Sequence, residues 1–494
     1  MDKPYISFIL HSMKEQTLKQ SLEAIFTQAE LIDFEVIICD DASDDGGWDL
    51  ARRIAKQNQG VVTLCRNHHP MGYEKNRQKA LMIAKAPFFV ELTSEFPFVI
   101  SLIKHDIHQL ESGETLKHNY IGRLKNISYL PTEFSPITSP VHGAESPLVS
   151  ICIYNYNYGR YLRECIDSVL AQTYENIEIC FSDNASTDDS WDIINHYADN
   201  YPQTFNLTRS RENFGAYHNL WSSFLNVQGQ FVLKLCSDDV IKPGYIEACV
   251  KALMSEPEAA FAMVHRATIN EEGIYQQEAP FYDSSCFISG DEQAAVYMMS
   301  SVNPSVSQVF YRTEVLSDKR LPAALNERWF GDRLMDFHIC CSYPIVYIKE
   351  PFLVQRIHQQ SDSQRIEENL LQCLGEYVLV HQLADIASIY PGMEKAQARL
   401  PAALNKLGKL SLRYCLKQLL TGNITLANRY YHLALAIDTS LNNDDMVIQI
   451  SRYWLLKTEA EREGHLNILR SLYSDNIKRT YSYPPPQGAR PISR

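Results

Sequence analysis

The sequence predicts an α/β protein with two tandem copies of a parallel-sheet unit, followed by a C-terminal all-α region. Through about the first 250 residues, apolar runs with a period of two alternate with amphipathic helical patterns, which is typical of βαβ units. The alternation then repeats itself at a fixed spacing. Beyond about residue 366 the apolar residues follow a helical period.

The two copies are related by a spacing of 143 residues, which aligns Trp48 with Trp191 and Asp40 with Asp183. The strand, acidic loop and helix start "FEVIICDDASDDGGWDL" of the first copy correspond to "IEICFSDNASTDDSWDI" of the second. Only the loop before the first helix needs a gap of one residue. The sequence therefore places two half-domains of one design in tandem.

The domain boundaries follow from composition. Residues 1–100 form the first copy, and residues 101–146, which end in spaced prolines, serines and glycine, form a linker. Residues 147–365 form the second copy and its continuation. Residues 366–482 form a helical C-terminal domain, and residues 483–494 form a proline-rich tail that we expect to be disordered.

Composition and charge argue against several classes of protein. The net charge of −13 disfavours a polyanion-binding surface, so nucleic acid is not expected as a partner. No apolar run approaches the ~18 residues that cross a membrane, and the N-terminus lacks a signal-peptide pattern. The twelve cysteines include no CxxC pair and fit buried, reduced thiols. We therefore expect a cytoplasmic protein, with peripheral attachment at the inner face of the membrane as the alternative.

The acidic loop of the second copy follows a predicted parallel strand. Asp183 ends this strand, at the edge where open α/β sheets bind ligands. There its carboxylate could accept hydrogen bonds from a base or a ribose. The alternative is that Asp183, Ser186 and Asp188 only cap the helix that follows.

A second acidic motif, "LKLCSDDV", also follows an apolar strand. The adjacent carboxylates of Asp238 and Asp239 could hold a divalent cation, with diphosphate oxygens completing its shell. Such a cation would neutralise charge on a departing diphosphate. The alternative is an ordinary Asp-rich turn. At the corresponding place the first copy reads Glu95-Phe96, and Phe96 cannot bind a metal.

Two later motifs complete the set of candidates. In "FGDRLMDFHIC", Asp332 lies at a predicted helix start, where it could be a general base or merely a cap. In "LVQRIHQQSDS", Arg356 and His358 share one side of an extended segment. Arg356 could grip a phosphate and His358 could bind a metal or a phosphate. The alternative is that both are surface residues.

Taken in order, these motifs resemble the inverting family 2 glycosyltransferases, whose GT-A fold is a Rossmann-like nucleotide-sugar-binding domain. The resemblance covers residues 147 to about 363 and includes "NFGAYHNL" between the two acidic motifs. It assigns donor binding to Tyr156, Asn157, Asp183, Asn219, Asp238 and Arg356, metal binding to Asp238, Asp239 and His358, and the general base to Asp332.

Three residues depart from the family pattern. Tyr154 stands where the family usually has proline, and Asn184 replaces a common second aspartate. Cys236 replaces an aspartate that often opens the metal motif. The last change leaves Asp238 and Asp239 to hold the metal.

The resemblance implies a metal-dependent inverting glycosyltransferase of the hexosyltransferase type. Its donor would be a nucleotide-diphosphate sugar, with a UDP-sugar favoured, and its cofactor Mn²⁺ or Mg²⁺. Its acceptor would be a glycan, a lipid-linked or a protein hydroxyl, in the assembly of surface polysaccharide, glycolipid or glycoprotein glycans. The first copy would be a truncated, catalytically silent domain of the same design, and the helical region could mediate homo-oligomerisation.

Three alternatives compete with this hypothesis. The first is a catalytically inactive nucleotide-sugar-binding scaffold or regulatory protein. The second is a nucleotidyltransferase or dehydrogenase, which the absence of GxGxxG and GxxxxGK[ST] motifs disfavours. The third is a polymerase with two active sites, which Phe96 disfavours.

Overall fold

The chain divides into two compact units, residues 1–239 and 240–494. The predicted domain 147–365 therefore contributes to both units. The computed structural model describes residues 5–11, 15–28, 33–43, 46–58, 60–67, 73–84, 86, 88–92, 121–123, 146–210, 212–224, 226–300, 302–317, 330–358, 370–472 and 481–492. The predicted α/β class with a C-terminal helical region is confirmed.

The described part of the first unit contains one sheet in the order β9-β6-β7-β8-β3-β2-β1-β4-β5, with helices between the strands. The strands are β1 (Ile6–His11), β2 (Phe34–Asp40), β3 (Val62–Arg66), β4 (Phe88–Leu92), β5 (Ile121–Arg123), β6 (Val149–Asn155), β7 (Ile177–Asp183), β8 (Phe205–Arg209) and β9 (Phe231–Cys236). The helices are α1 (Glu15–Gln28), α2 (Gly47–Gln57), α3 (Tyr73–Ile83), α4 (Gly159–Leu170), α5 (Ser190–Asn200) and α6 (Ala216–Phe224).

Both halves of this sheet have the same topology. In the first, β1 pairs in parallel with β2 and β4, and β2 with β3. In the second, β6 pairs in parallel with β7 and β9, and β7 with β8. A buried hydrogen bond from Ser7 to Glu35 recurs as one from Ser150 to Glu178. Each half therefore changes strand order beside its first strand, which is where doubly wound sheets bind ligands.

The strands are buried because helices cover both faces of the sheet. In β1 and β2, Phe8 and Val36 belong to one apolar cluster. Ile9 and Ile37, the next residue along each strand, belong to a second cluster. This alternation follows from the two-residue period of a strand and explains the near-continuous apolar runs in the sequence.

The second unit combines a smaller mixed sheet with helices. Its central strand β15 pairs in parallel with β11 and antiparallel with β10 and β13, while β11 also pairs with β12 and β14. The strands are β10 (Val240–Ile241), β11 (Phe261–Asn270), β12 (Tyr275–Gln277), β13 (Cys286–Ile288), β14 (Val309–Arg312), β15 (Ile345–Ile357) and β16 (Arg490–Pro491). The helices are α7 (Tyr245–Ser255), α8 (Gly290–Met298), α9 (Gly331–Cys340), α10 (Leu371–Ile389), α11 (Glu394–Ala398), α12 (Leu400–Leu420), α13 (Ile424–Ile437), α14 (Asp445–Leu455) and α15 (Glu459–Leu472).

The helical region has the apolar face that the sequence predicts. Leu412, Cys415, Leu416 and Leu419 of α12 are all buried in one cluster. Gly422 follows this helix with a φ of 81°, which a glycine adopts without the cost that a side chain adds. All twelve cysteines lie in the described ranges and carry free thiols, and all but the half-buried Cys236 are buried. No helix among the described residues is long and apolar enough to cross a membrane.

The predicted disorder of residues 483–494 is wrong for the described residues 483–492. The backbone of Tyr483 bonds with Phe281 and Asp283, at 2.9 Å in each case. Arg490 in β16, which pairs with β13, donates to both carboxylate oxygens of Glu256 at 2.7 and 2.6 Å. Proline-rich composition argues only against a helix, and it carries no information about these distant partners.

The predicted linker lies mostly outside the described residues. Of residues 101–146, the structure describes 146 and the three residues of β5, which pair antiparallel with β4. Glu95 and Phe96, on which the prediction of a silent first copy depends, also lie outside the described residues.

Candidate active site

Asp183 ends β7 and organises the loop that follows it. Its carboxylate accepts hydrogen bonds from the backbone nitrogen of Ser186 at 3.0 Å and from the Ser186 hydroxyl at 2.5 Å. Arg209 Nε lies 3.3 Å from the same carboxylate, and the Arg209 guanidinium lies 4.9 Å from the centre of the Trp191 ring. The Asp183 side chain is fully buried. Its contacts are therefore those of a residue that shapes the loop.

Of the residues predicted as alternative helix caps, Asp188 bonds to the start of α5, while the N-cap residue Asp189 makes no side-chain cap hydrogen bond. The Asp188 carboxylate accepts from the backbone nitrogen of Ser190, the first residue of α5, at 3.1 Å. It also accepts from the backbone nitrogen of Gly159 at 2.8 Å, which ties the start of α4 to the same loop. A Cβ atom on Gly159 would lie 3.2 Å from the backbone nitrogen of Ser190, so the approach leaves little room for a side chain.

The loop after β6 meets the loop after β7. Asn157 has a φ of 59° and accepts from the backbone nitrogen of Thr187 at 2.7 Å, while its own nitrogen donates to Ser186 Oγ at 2.9 Å. The neighbouring Tyr156 exposes its ring to solvent. These two loops therefore form one surface at the carboxyl edge of the sheet, with an aromatic ring available for stacking on a base.

Asn219 joins the strands beneath this surface. It is buried on α6, donates to the carbonyl oxygen of Asn155 at 2.9 Å and accepts from Ser182 Oγ at 2.7 Å. Its amide thus links β6 to β7 and fixes where both loops begin. The predicted site included Asn219 but missed Arg209. The sequence feature that could have indicated Arg209 is the arginine at the equivalent position of the first copy, Arg66.

The second acidic motif forms a cluster at the end of β9. The ligand atoms of Cys236, Asp238 and Asp239 all lie within 4.8 Å of one another. The turn is closed by a 3.0 Å hydrogen bond from the Asp239 nitrogen to the Cys236 carbonyl oxygen, and the Asp239 side chain is buried. Carboxylate oxygens suit Mg²⁺ or Mn²⁺, so the two aspartates fit such an ion.

Two of the departures from the family pattern contact each other in this cluster. The Tyr154 hydroxyl lies 3.1 Å from Cys236 Sγ, and the two residues are register partners on β6 and β9. Burial, together with the charges of Cys236, Asp238 and Asp239, raises the pKa of the Tyr154 hydroxyl well above its ordinary value. Tyr154 is therefore neutral at physiological pH. The contact between Tyr154 and Cys236 was not predictable from the sequence.

The β6 strand brings the two acidic motifs to one edge of the first unit. Asn155 pairs with Asp183 on one side, and Tyr154 pairs with Cys236 on the other. Parallel strands end at a common edge, so the loop of Asp183 and the acidic cluster share the carboxyl side of this sheet.

Asp332 lies in the first turn of α9 in the second unit and is half-buried. One turn later, Asp336 is buried and accepts a 2.5 Å hydrogen bond from the Tyr311 hydroxyl. Of the two carboxylates on this helix, Asp332 is thus the more accessible to solvent.

Arg356 and His358 share one side of the extended segment, as predicted. Their side chains are 8% and 2% exposed, whereas Ile357 between them is 39% exposed. The alternative that both are surface residues is therefore wrong. Arg356, His358 and Asp332 belong to the second unit, whereas Asp183, Asp238 and Asp239 belong to the first.

The helical region contacts the start of α9. Arg333, next to Asp332, lies 2.5 Å from Glu376 of α10, and both side chains are nearly buried. Arg333 also donates to Ser300 Oγ at 2.5 Å. A Cβ atom on Gly375 would meet the Phe330 ring at 2.6 Å, so α10 packs closely on the residue that precedes α9. The position of Asp332 therefore depends on α10.

Comparison with known proteins identifies one family. The family model for Glycosyl transferase family 2 matches residues 8–94 and 150–316, together just over half of the chain. The chain is 29% identical over 163 residues to the chondroitin synthase of Pasteurella multocida (strain Pm70), which is 33% of this chain and 16% of that protein. It is 29% identical over 149 residues to the hyaluronan synthase of Pasteurella multocida, which is 30% of this chain and 15% of that protein. The chain thus spans less than a fifth of each of these two relatives.

Solved structures resemble the chain more weakly. The Staphylococcus aureus TarS 1–349 complex with UDP-GlcNAc has a TM-score of 0.43 and 15% identity, over 67% of this chain and 93% of that one. The mannosyltransferase PcManGT from Pyrobaculum calidifontis, in complex with GDP-Man and Mn²⁺, has a TM-score of 0.35 and 16% identity. It is matched over 68% of this chain and 90% of its own.

Proposed function

Since this chain belongs to glycosyl transferase family 2, we propose that it is a metal-dependent, inverting hexosyltransferase that moves a sugar from a nucleotide-diphosphate sugar to an acceptor hydroxyl. The observation that carries the proposal is the cluster of Cys236, Asp238 and Asp239 at the carboxyl edge of the sheet. A catalytically inactive nucleotide-sugar-binding scaffold remains the alternative. A thermal-shift screen of nucleotide-sugars with Mn²⁺, beginning with UDP-sugars, identifies the donor because ligands raise the unfolding temperature by mass action.

The donor nucleotide binds at the loops after β6 and β7. The exposed Tyr156 ring stacks on the base, and Asn157 holds the loop that carries Tyr156. Asp183 and Asn219 contribute by fixing the backbone of these loops, since their own polar atoms are engaged within the protein. This role differs from the direct base contact that the family resemblance implies for Asp183.

The diphosphate lies toward the acidic cluster. Asp238 and Asp239 hold the divalent ion through carboxylate oxygens, and the bound ion would neutralise charge on the leaving diphosphate. Cys236 keeps its hydrogen bond to the neutral Tyr154. Arg356 binds a phosphate, and His358 binds the metal or a phosphate.

Asp332 acts as the general base. Its carboxylate takes the proton from the acceptor hydroxyl as the acceptor oxygen bonds to the anomeric carbon. The bond from that carbon to the diphosphate oxygen breaks on the opposite face, so the configuration inverts. The accessible position of Asp332 supports this assignment, since the neighbouring Asp336 is bonded to the Tyr311 hydroxyl.

The acceptor is proposed to be a glycan, a lipid-linked or a protein hydroxyl in the assembly of surface polysaccharide, glycolipid or glycoprotein glycans. Relatives named chondroitin synthase and hyaluronan synthase favour a glycan over a lipid-linked or a protein acceptor. A cytoplasmic location, with peripheral membrane attachment as the alternative, is proposed to accompany this role.

The first copy is proposed to be catalytically silent, and Asp40→Ala and Asp183→Ala form a matched pair that tests this. Asp40 makes the same contacts as Asp183: the Ser43 nitrogen donates to it at 3.2 Å, and Arg66 Nε lies 3.0 Å away. The structural cost of the two changes is therefore similar. Asp183→Ala should raise the donor KM about tenfold or more, whereas Asp40→Ala should leave turnover nearly unchanged.

Steady-state kinetics with the identified donor distinguishes the two variants, and unfolding temperatures show whether their structural cost is matched. An equal loss of kcat/KM for the donor in both variants would mean that the first copy contributes a site.

The ion pair between Arg333 and Glu376 is expected to hold α9, and with it Asp332, in place. Glu376→Ala leaves a nearly buried guanidinium without this carboxylate, so unfolding should become easier by about 3 kcal/mol. As a control, Lys395→Met removes the exposed partner of Glu292 and should leave the unfolding midpoint unchanged. Chemical denaturation of the three proteins measures both effects. An unchanged midpoint in Glu376→Ala would show that the helical region does not support α9.

A further inference from the structure

The two copies meet through the same strand of each. The β3 strand pairs antiparallel with β8, which occupies the equivalent position 143 residues later in the chain. The paired residues Cys65 and Thr208 are themselves separated by this spacing. An interface in which equivalent residues face each other has the geometry of a twofold dimer. A local twofold axis therefore passes between Cys65 and Thr208.

A buried lysine lies at this interface, which we call the β3–β8 seam. The Lys79 ammonium donates to Asn226 Oδ1 at 2.5 Å and to Asn67 Oδ1 at 2.9 Å. Asn226 in turn donates to Thr208 Oγ1 at 3.3 Å. The Lys79 side chain is 2% exposed and Asn226 is fully buried. A charged group this deeply buried needs its partners, so Lys79 ties the first copy to the second.

The rim of the seam carries an exposed contact. Arg52 of α2 lies 2.9 Å from Asp199 of α5, the helix at the equivalent place in the second copy. A polar, solvent-accessible contact at the rim is typical of an association surface between subunits. Without the first copy, the β8 edge would present unpaired backbone groups and Asn226 would lose its charged donor.

We propose that the first copy serves as a built-in partner subunit, which covers the β8 edge of the second copy and is anchored there by Lys79. The seam gives the first copy a role that needs neither a metal nor a donor. It also explains why the described strands β1 to β4 keep the topology of the second copy, while the predicted metal position carries Phe96. The proposal is independent of the proposed enzymatic function, since its test requires no substrate.

A cleavable form of the full chain tests the seam. A protease recognition sequence inserted between residues 124 and 145 allows the folded protein to be cut between the copies. After cleavage, the two fragments should co-elute on gel filtration. Lys79→Met should weaken their association at least tenfold, because a charge-assisted donor to two buried oxygens is lost. The matched control is Ser222→Ala at the equivalent position of the second copy, where the hydroxyl donates to His218 O within its own helix.

Ser222→Ala should leave the association unchanged. Separation of the fragments as soon as the wild-type chain is cut would overturn the proposal. Equal association in Lys79→Met and wild type would overturn the assignment of Lys79 as the anchor.

A disulfide tests the twofold geometry even if Lys79→Met fails to fold. Thr208→Cys places a thiol opposite Cys65, at the separation that antiparallel partners share and disulfides accept. Cys39→Ser is added because Cys39 Sγ lies 3.1 Å from Cys65 Sγ and would compete. With oxidised glutathione as the oxidant, the cleaved fragments should remain linked on a non-reducing gel and should separate when Cys65→Ser is added. Absence of the link in the folded variant would contradict the register of the seam.

Discussion

Asp239→Asn is expected to abolish sugar transfer while the protein stays folded. Asp239 is buried at the end of β9 and shares the acidic cluster with Asp238. Asparagine keeps the shape of the side chain but removes the negative charge that holds a divalent cation. A polar exchange at a strand end costs about 1–2 kcal/mol of stability, so the loss of activity should far exceed any loss of folded protein.

Transfer to an acceptor, measured beside the unfolding temperature, separates these effects. Asp238→Asn should be similarly damaging, and EDTA should inactivate the wild-type enzyme until Mn²⁺ is restored. Full activity in EDTA would refute the metal-dependent mechanism, and so would full activity of Asp239→Asn.

Asp332→Asn is expected to lower kcat by about 10²–10⁴-fold, the usual contribution of a general base. Because the base acts on the acceptor in the transition state, the affinity for the donor should stay unchanged. Single-turnover rates and equilibrium donor binding measure the two quantities separately.

Asp336→Asn is the matched control on the same helix. An asparagine there can still accept the hydrogen bond from Tyr311 through its amide oxygen, so kcat should change little. If Asp332→Asn kept the wild-type kcat while Asp336→Asn lost activity, Asp336 would be the base instead.

Much of the fold follows from spacing along the chain. The two-residue apolar period of β1 and β7 predicts buried strands, and the spacing of 143 residues places the elements of the second copy. The same local rules place Asp332 in the first turn of a helix and put Arg356 and His358 on one side of an extended segment. These features depend on neighbours in the sequence, which is why the sequence reveals them.

Contacts between distant residues were not predictable in this way. Arg490 orders the proline-rich tail through Glu256, and no periodicity links two residues so far apart. The sequence around Lys79 predicts only an ordinary helix residue, yet its ammonium donates to Asn226 across the β3–β8 seam. Asp183 is buried and accepts a hydrogen bond from the backbone of Ser186, and its position at a strand end predicted neither feature.

We propose that the second copy holds the donor together with a divalent metal, and that the first copy does not. Calorimetric titration of the donor found by thermal shift, in the presence of Mn²⁺, tests it most directly. We predict one site per chain, lost in EDTA and in Asp239→Asn and retained in Asp40→Ala. Two sites of similar affinity, or one site that is unchanged in EDTA, would contradict the claim.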